Sequence, residues 1–552
     1  AWEIIVPDGI NSLTYEVMVK EKNGNAFDSL KVTEKVVSAV PASVFQATLT
    51  QIEKSFNIDI QKPEDALPGK GGIDVSFSPK LSNGLDGVDS YMKSYPYTCM
   101  EQRISRAVAL RDKSLWTNIM LNIPSYLDSD GLVKYFPSMT LGSDVLTSYI
   151  LSITSEAKYE IPSEVKTRMI DGLKGFIEGR VNRYSSLPTA DLSIRKVAAL
   201  EALSRNGEGS PNLLGSISID PALWPTSAVL DWMNVLLRIK DIPDRDKKLK
   251  QSEEIVRARL NLQGTIMSFS TEGGDFLWWL MVSPDVNATK GLLTLINLEN
   301  WKEDIPKMAK GVIGILHRGH WDTTVANAWG VLAMERFSEK FELVPVTGST
   351  VSTLDGKKET VNWKESPGGK SEMFDWPQKK ENLSITHQGS GKPWVTIASL
   401  AAIPLKEPFS SGYIIKKTTL PIEQKIKDKW SVGDIVRIHL DIEAAGDMTW
   451  VVVNDPIPAA STILGTGLGG RNSELLTQGE ESKGQVWPAF EERSFQSFKA
   501  YYDYVPKGKW SVEYTVRLNN QGVFSLPPTR VEALYSPEMF GETPNNKITV
   551  EQ

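Results

Sequence analysis

Cysteine is almost missing from this chain: Cys99 is the only one in 552 residues. An intrachain disulfide is therefore excluded, and no His/Cys cluster has zinc-ligand spacing, so the expectation is no metal and no cofactor. Histidine is scarce as well, with four residues, the first at position 317. No apolar stretch approaches the ~18 residues needed to span a bilayer. Basic excess is lacking too: 61 Lys and Arg stand against 68 Asp and Glu, for a net charge of −7. Without a Lys/Arg-rich run to follow a phosphate backbone, nucleic acid is excluded as a partner. An initiator methionine and a signal peptide are also absent, since the chain opens "AWEIIVPDGI". The expectation is that processing or truncation removed the true beginning. The triplets Asn287-Ala-Thr and Asn382-Leu-Ser would matter only in a eukaryotic secretory pathway.

What is present points to a folded, multidomain protein, with 41 % hydrophobic residues and 16 tryptophans. Residues 1–85 alternate apolar and polar in "EIIVPDG", "LTYEVMV" and "IDVSFSP", a pattern of half-buried antiparallel strands between turns. From about 88 to 340 the period becomes helical, as in "EQRISRAVAL", "SDVLTSYILSI" and "TTVANAWGVLAMERF", and strands are nearly absent. Similar capped loops, "LGSDVL", "VSPDVNATKGLL" and "GHWDTTVANAW", imply repeated helical hairpins that bury a shared core by closing on one another, as in an α/α toroid. After 340 the strand pattern returns through "DIVRIHLDI", "MTWVVVNDPIP" and "KWSVEYTVRL", ending in a β-sandwich. A helical block between β-rich stretches predicts a β-domain split by an insertion.

The lone cysteine lies in "YPYTCMEQ", residues 95–102. Thr98 followed three residues later by Glu101 is a capping-box pattern that places Cys99 at the first helical position, ahead of Met100, Ile104 and Val108. Unpaired N–H groups at a helix start favour thiolate over thiol, making the sulfur a better nucleophile and leaving group. Gln102 shares its face at the i,i+3 spacing. The alternative is a buried cysteine acting as a small hydrophobe.

Together with "GHWDTTVANAWGVLA", "VNDPIPA" and "PPTRVEALYSPEMFGE", the stretch "YPYTCMEQ" resembles the C-terminal third of bacterial α2-macroglobulins and their thioester-containing relatives. The resemblance covers essentially the whole chain. It implies a multidomain α+β fold: the end of a macroglobulin-like β-domain at 1–36, a CUB-like β-domain in halves at 37–87 and 341–415, a helical thioester domain (α/α toroid) inserted at 88–340, and a macroglobulin-like or receptor-binding-like β-sandwich at 416–552. It further implies that Cys99 and Gln102 form an internal thioester, with Thr98, Met100 and Glu101 supporting the motif; Glu101 is expected to act as the capping acid, with a catalytic role as the alternative. Shielding of the bond is expected from Tyr95, Tyr97, Tyr159, Leu534 and Tyr535, where relatives often place methionine at the position of Leu534. The cluster Tyr501, Tyr502 and Tyr504 is expected to pack in a sheet, and His317 and His320 to serve helix ends.

These expectations describe an inhibitor and not an enzyme. Proteases would be trapped through their lysine amines, in the periplasm or cell envelope, by a monomeric C-terminal fragment without the bait region. An anchor in a missing N-terminal part and envelope-protein partners are also envisaged. A thioester-based adhesive or opsonin-like tag is the second reading. A third is a polysaccharide lyase or glycosidase with Glu272 and Asp275 as an acid pair.

Overall fold

The computed structural model describes residues 12–270 except 23, 37 and 39, then 276–459, 461–465 and 486–552. At the start, Ser12–Lys20 and Phe27–Lys35 form an antiparallel hairpin. Two four-stranded sheets follow, and each is built from both sides of the helical block. Gly71–Ser78 lies between Lys370–Phe374 and Trp394–Ala401, with Ser43–Gln51 outermost; the facing sheet runs Ser55–Ile60, Glu381–Gln388, Ser349–Leu354, Lys357–Asn362. Strand alternation sends Ile73, Val75 and Phe77 inward against Val395, Ile397, Leu383 and Ile385, so the two separated sequence stretches share one core.

Between them lie, among the described residues, eleven α-helices: α1 Asp86–Ser94, α2 Met100–Ala109, α3 Lys113–Asn122, α4 Asp144–Ala157, α5 Ser163–Glu178, α6 Pro188–Arg205, α7 Thr226–Arg238, α8 Arg245–Ala258, α9 Pro284–Leu295, α10 Ile305–Gly314 and α11 Thr324–Phe341. The capped loops read from the sequence do start helices: Ser143, Ser283 and Thr323 accept backbone N–H bonds at the heads of α4, α9 and α11. Packing runs from α2 to α4, α6, α7, α9, α11 and back to α2, a closed circuit in which the last helix meets the first of the ring. Helices α7 and α11 are buried around most of their circumference, as this circuit requires. A small hairpin, Leu260–Gln263 with Ile266–Phe269, interrupts the helical region, where the sequence pattern leaves strands nearly absent.

The terminal part holds a six-stranded sheet ordered Phe409–Ser411, Ser536–Thr543, Thr529–Ala533, Met448–Pro456, Ser497–Val505, Phe490–Arg493, packed on a sheet containing Tyr413–Glu423, Ile435–Ala444, Gly508–Arg517 and Thr462–Ile463. The expected boundary at 415/416 is corrected here. It falls inside Tyr413–Glu423, which pairs with Ile435–Ala444, and Phe409–Ser411 pairs with Ser536–Thr543, so both strands belong to the terminal part. Along Met448–Pro456 alternation divides the side chains: Val451 and Val453 enter the sandwich, while Trp450 and Val452 join the core of the helical ring. Tyr502 and Tyr501 divide likewise, and Leu534 and Tyr535 follow onto the ring.

Candidate functional site

The ring and the terminal sheet meet over the start of α2. Cys99 is the N-cap residue, with extended backbone (φ −62°, ψ 166°), and Met100 opens the helix. The cap therefore sits one residue later than Thr98–Glu101 spacing predicts. Cys99 N–H donates to Gln102 Oε1 at 3.0 Å, and Gln102 N–H returns a bond to the Cys99 sulfur. Thr98 is exposed, whereas Cys99, Met100, Glu101 and Gln102 are all essentially sealed from solvent. Gln102 Nε2 is buried without a hydrogen-bond partner among the described residues. This side-chain amide thus holds its carbonyl against the cysteine while its nitrogen bonds to nothing, at a cost of about 1–3 kcal/mol.

Glu101 is not the capping acid. Its carboxylate is fully buried and accepts from Ser105 Oγ (2.5 Å), Thr324 Oγ1 (2.8 and 3.1 Å) and Tyr535 OH (2.9 Å). Ser105 in turn bonds the Tyr149 hydroxyl at 2.6 Å. Burial raises the Glu101 pKa, and the three hydroxyls hold that rise back. The Cys99 thiol is also pushed well up, first by burial and then by the Glu101 charge, against the backbone N–H groups of α2 that favour thiolate. Burial therefore overrides the helix-start effect expected from sequence.

Aromatic rings close the space above. Tyr95 lies edge-on to Tyr97 (5.5 Å between centroids), and Tyr97 meets Tyr501 of the terminal sheet at 6.2 Å. Phe136 packs on Phe490 (4.6 Å) and Tyr501 (4.9 Å), and Tyr135 against Trp450 at 3.9 Å. Lys499 donates to the Pro96 carbonyl at 3.0 Å, fixing the segment just before the cysteine. Leu534 N–H donates to the Trp450 carbonyl at 2.9 Å. Trp450 has φ +55°, left-handed backbone that an L-residue rarely adopts, and the ladder to Ser497–Val505 skips it.

Residues 412–538 match the family described as Bacterial Alpha-2-macroglobulin MG10 domain. An α2-macroglobulin homolog of Nostoc is 21 % identical over 95 % of this chain. The chain is similar over most of its length to bacterial α2-macroglobulins. It spans 28 % of the length of the Nostoc protein and 27 % of that of the 21 % identical α2-macroglobulin of Rickettsia conorii. The fold is shared with the native Escherichia coli α2-macroglobulin from domain MG7 to the C-terminus (TM-score 0.71, 15 % identity), covering 98 % of this chain and 88 % of that one. It is shared too with a Salmonella α2-macroglobulin reacted with methylamine (TM-score 0.70, 17 % identity), covering 99 % of this chain and 36 % of that one.

Of the shielding residues that α2-macroglobulin resemblance suggested, Tyr95, Tyr97, Leu534 and Tyr535 gather around Cys99 and Gln102, and Tyr159 does not. Tyr159 packs on Trp116 at 5.0 Å and feels Arg111 and Asp112, past the far end of α2, a helix about 15 Å long. Tyr501, expected only to pack in a sheet, faces the site, while Tyr502 lies in the sandwich core and Tyr504 is half-buried. Sequence reasoning missed Tyr135, Phe136, Trp450 and Thr324; the apolar alternation around Trp450 was the one local signal. The histidines serve no helix cap. His317 pairs with Asp322 (2.8 Å), and His320 stacks on Tyr91 at 3.8 Å, two rings short of Tyr97. Glu272 and Asp275 lie outside the described residues. Among the described residues no group of three or more His, Cys, Asp or Glu could hold a metal, and no helix is long and apolar enough to cross a membrane.

Proposed function

We propose that the chain is the thioester-bearing C-terminal part of a bacterial protease trap, an inhibitor and not an enzyme, acting in the periplasm or cell envelope. The observation that carries this reading is the buried Cys99–Gln102 pair, sealed by the terminal sheet, with a leaving nitrogen that has no hydrogen-bond partner among the described residues. Cys99 sulfur attacks Gln102 Cδ, the carbon–nitrogen bond breaks, and the thiol proton leaves with the nitrogen as ammonia. The product is an internal thioester that also removes an orphaned donor. In the closed state a displaced sulfur would carry charge in an apolar space, and water is kept out, so the acyl group persists. Once the terminal sheet moves, hydration lowers the thiol pKa and the α2 N–H groups stabilise thiolate, which makes the sulfur a good leaving group. A lysine amine of a captured protease then forms an amide with the former Gln102 carbonyl, and the sulfur takes the amine's proton.

The closed helical circuit favours the toroid reading of 88–340, and strands paired across the insertion favour a CUB-like split domain. The bait region, the fragment's monomeric state and its envelope-protein partners and N-terminal anchor belong to the same proposal. Intact mass before and after methylamine tests it. A fresh chain lighter by one ammonia, gaining methylamine and one titratable thiol, is expected; full calculated mass with a free thiol and no amine adduct would refute the thioester. Ester formation with glycerol at yields equal to amide formation would instead favour an adhesive tag, because an alcohol needs a base and no histidine touches Cys99 among the described residues.

A further inference from the structure

Resting on the thioester reading, we propose that Tyr535 and Glu101 form a proton relay that catalyses closure of the Cys99–Gln102 bond while the terminal sheet is docked. A lid alone accounts for the Tyr535 ring but not for its hydroxyl, nor for a carboxyl beneath it. The Tyr535 hydroxyl donates to Glu101 Oε2 at 2.9 Å, and the same hydroxyl eases the burial of a Cys99 thiolate, so the terminal sheet sets one oxygen near both the acid and the nucleophile. Glu101 is completely buried, and its side-chain partners among the described residues are hydroxyls: Ser105 from its own helix, Thr324 from α11 and Tyr535 from the terminal sheet. Sinking a carboxyl among neutral hydroxyls costs folding free energy, which a glutamine, accepting with its oxygen and donating from its nitrogen to a turned hydroxyl, would reduce. What glutamine lacks is a transferable proton.

The other titratable groups facing Glu101 are Cys99 on α2, Tyr149 on α4, Tyr135 from the segment after α3, and Tyr91 and Tyr95 from α1 and its end. Burial holds these phenols protonated, which leaves Glu101 as the group able to take a proton near neutrality.

The relay balances as follows. The Cys99 thiol proton moves to the Tyr535 oxygen as the Tyr535 proton moves to Glu101, and the sulfur bonds to Gln102 Cδ. The tetrahedral carbon then expels the nitrogen. Glu101 returns its proton through the same hydroxyl, and ammonia leaves with the two original hydrogens and that one. In this relay Tyr535 exchanges the proton with the sulfur, and Glu101 acts through it. Closure then waits for docking, so the acyl group is made only where it is already shielded.

The test follows ammonia loss by intact mass in freshly synthesised full chain, for the parent and for Tyr535→Phe, Glu101→Gln and Glu101→Asp. Tyr535→Phe keeps the ring, and its closure is expected to slow by about 100-fold, the usual contribution of a positioned proton donor or acceptor. Spontaneous hydrolysis of the bonds that do close should match the parent. Parent closure should slow on acidification as Glu101 takes up its proton, Glu101→Gln should be slow with no such limb, and Glu101→Asp should recover part of the rate. Closure of Tyr535→Phe at the parent rate overturns the relay, as does slower closure matched by equally faster hydrolysis, which would mark a packing defect. A Glu101→Gln variant that fails to fold leaves Tyr535→Phe and the parent pH profile to decide. A parent that never loses ammonia refutes the thioester reading itself, and the relay with it.

Discussion

Replacing Trp450 by alanine tests how the terminal sheet holds the site shut. Trp450 is 7 % exposed, packs its ring tilted against Tyr135 at 3.9 Å, and its carbonyl accepts the Leu534 N–H that positions the neighbour of Tyr535. Truncating a buried tryptophan costs about 3–5 kcal/mol, and here the lost contacts lie between the sheet and the ring. The cost therefore falls on docking. At about 1.4 kcal/mol per decade, the open population should rise by roughly two to four orders of magnitude. Spontaneous thioester loss, followed as thiol release over hours, should rise in proportion wherever opening precedes attack. Hydrogen exchange of the 132–137 segment reads the same opening without reference to the bond. Trp450→Gly supplies an internal control: it loses the same ring but relieves left-handed backbone, so its terminal sandwich should be more stable than that of Trp450→Ala by about 1 kcal/mol. Thiol release and exchange both unchanged in Trp450→Ala, with intact secondary structure, would refute the wedge role.

Tyr535→Ala should speed thioester hydrolysis without lowering the thermal stability of the helical ring, since it opens a water path over Cys99; hydrolysis at the parent rate removes Tyr535 from the shield. Asp285 is held up to about 6, chiefly by burial, so its charged form is penalised in the folded state and the parent gains stability as pH falls from 7 through 6 toward 4. Asp285→Asn should therefore be more stable than the parent by about 2–3 kcal/mol near pH 7.5, with the difference vanishing near pH 4 in paired thermal melts. Arg195 and Asp144 pair at 2.6 Å with almost no exposure, so Arg195→Ala should cost about 3–5 kcal/mol, and a double apolar replacement should recover most of it, as measured by denaturant unfolding.

Elements coded by local pattern were legible. The N-caps Ser143, Ser283 and Thr323, the inward alternation of Ile73, Val75 and Phe77, and the period of α11 all depend on residues within a few positions of each other. The cap of α2 was ambiguous, because Thr98–Glu101 and Cys99–Gln102 share the same spacing. Burial decides between them by drawing Glu101 inward to partners 4, 223 and 434 residues away. No window of sequence contains the last two contacts. Strand ownership near 415 was hidden for the same reason, since Phe409–Ser411 finds its partner in Ser536–Thr543. Tyr159 was placed by resemblance alone, and the length of α2 separates it from the cysteine.

The position of Glu101 ties these long-range contacts into one device. Ser105 reaches the carboxylate from α2 and carries Tyr149 of α4 with it, Thr324 reaches it from the head of α11, and Tyr535 completes the set from the terminal sheet. The first two belong to the seam where the helical circuit closes, so they are made as soon as the ring folds. The third exists only when the sheet is docked. Undocking strips one donor from a buried carboxylate in the same motion that admits water beside Cys99, so loss of the shield, loss of the hydrogen bond and hydration of the sulfur are a single event. A site built this way needs no separate sensor for opening, because the contact that covers Cys99 is also a contact that holds the acid.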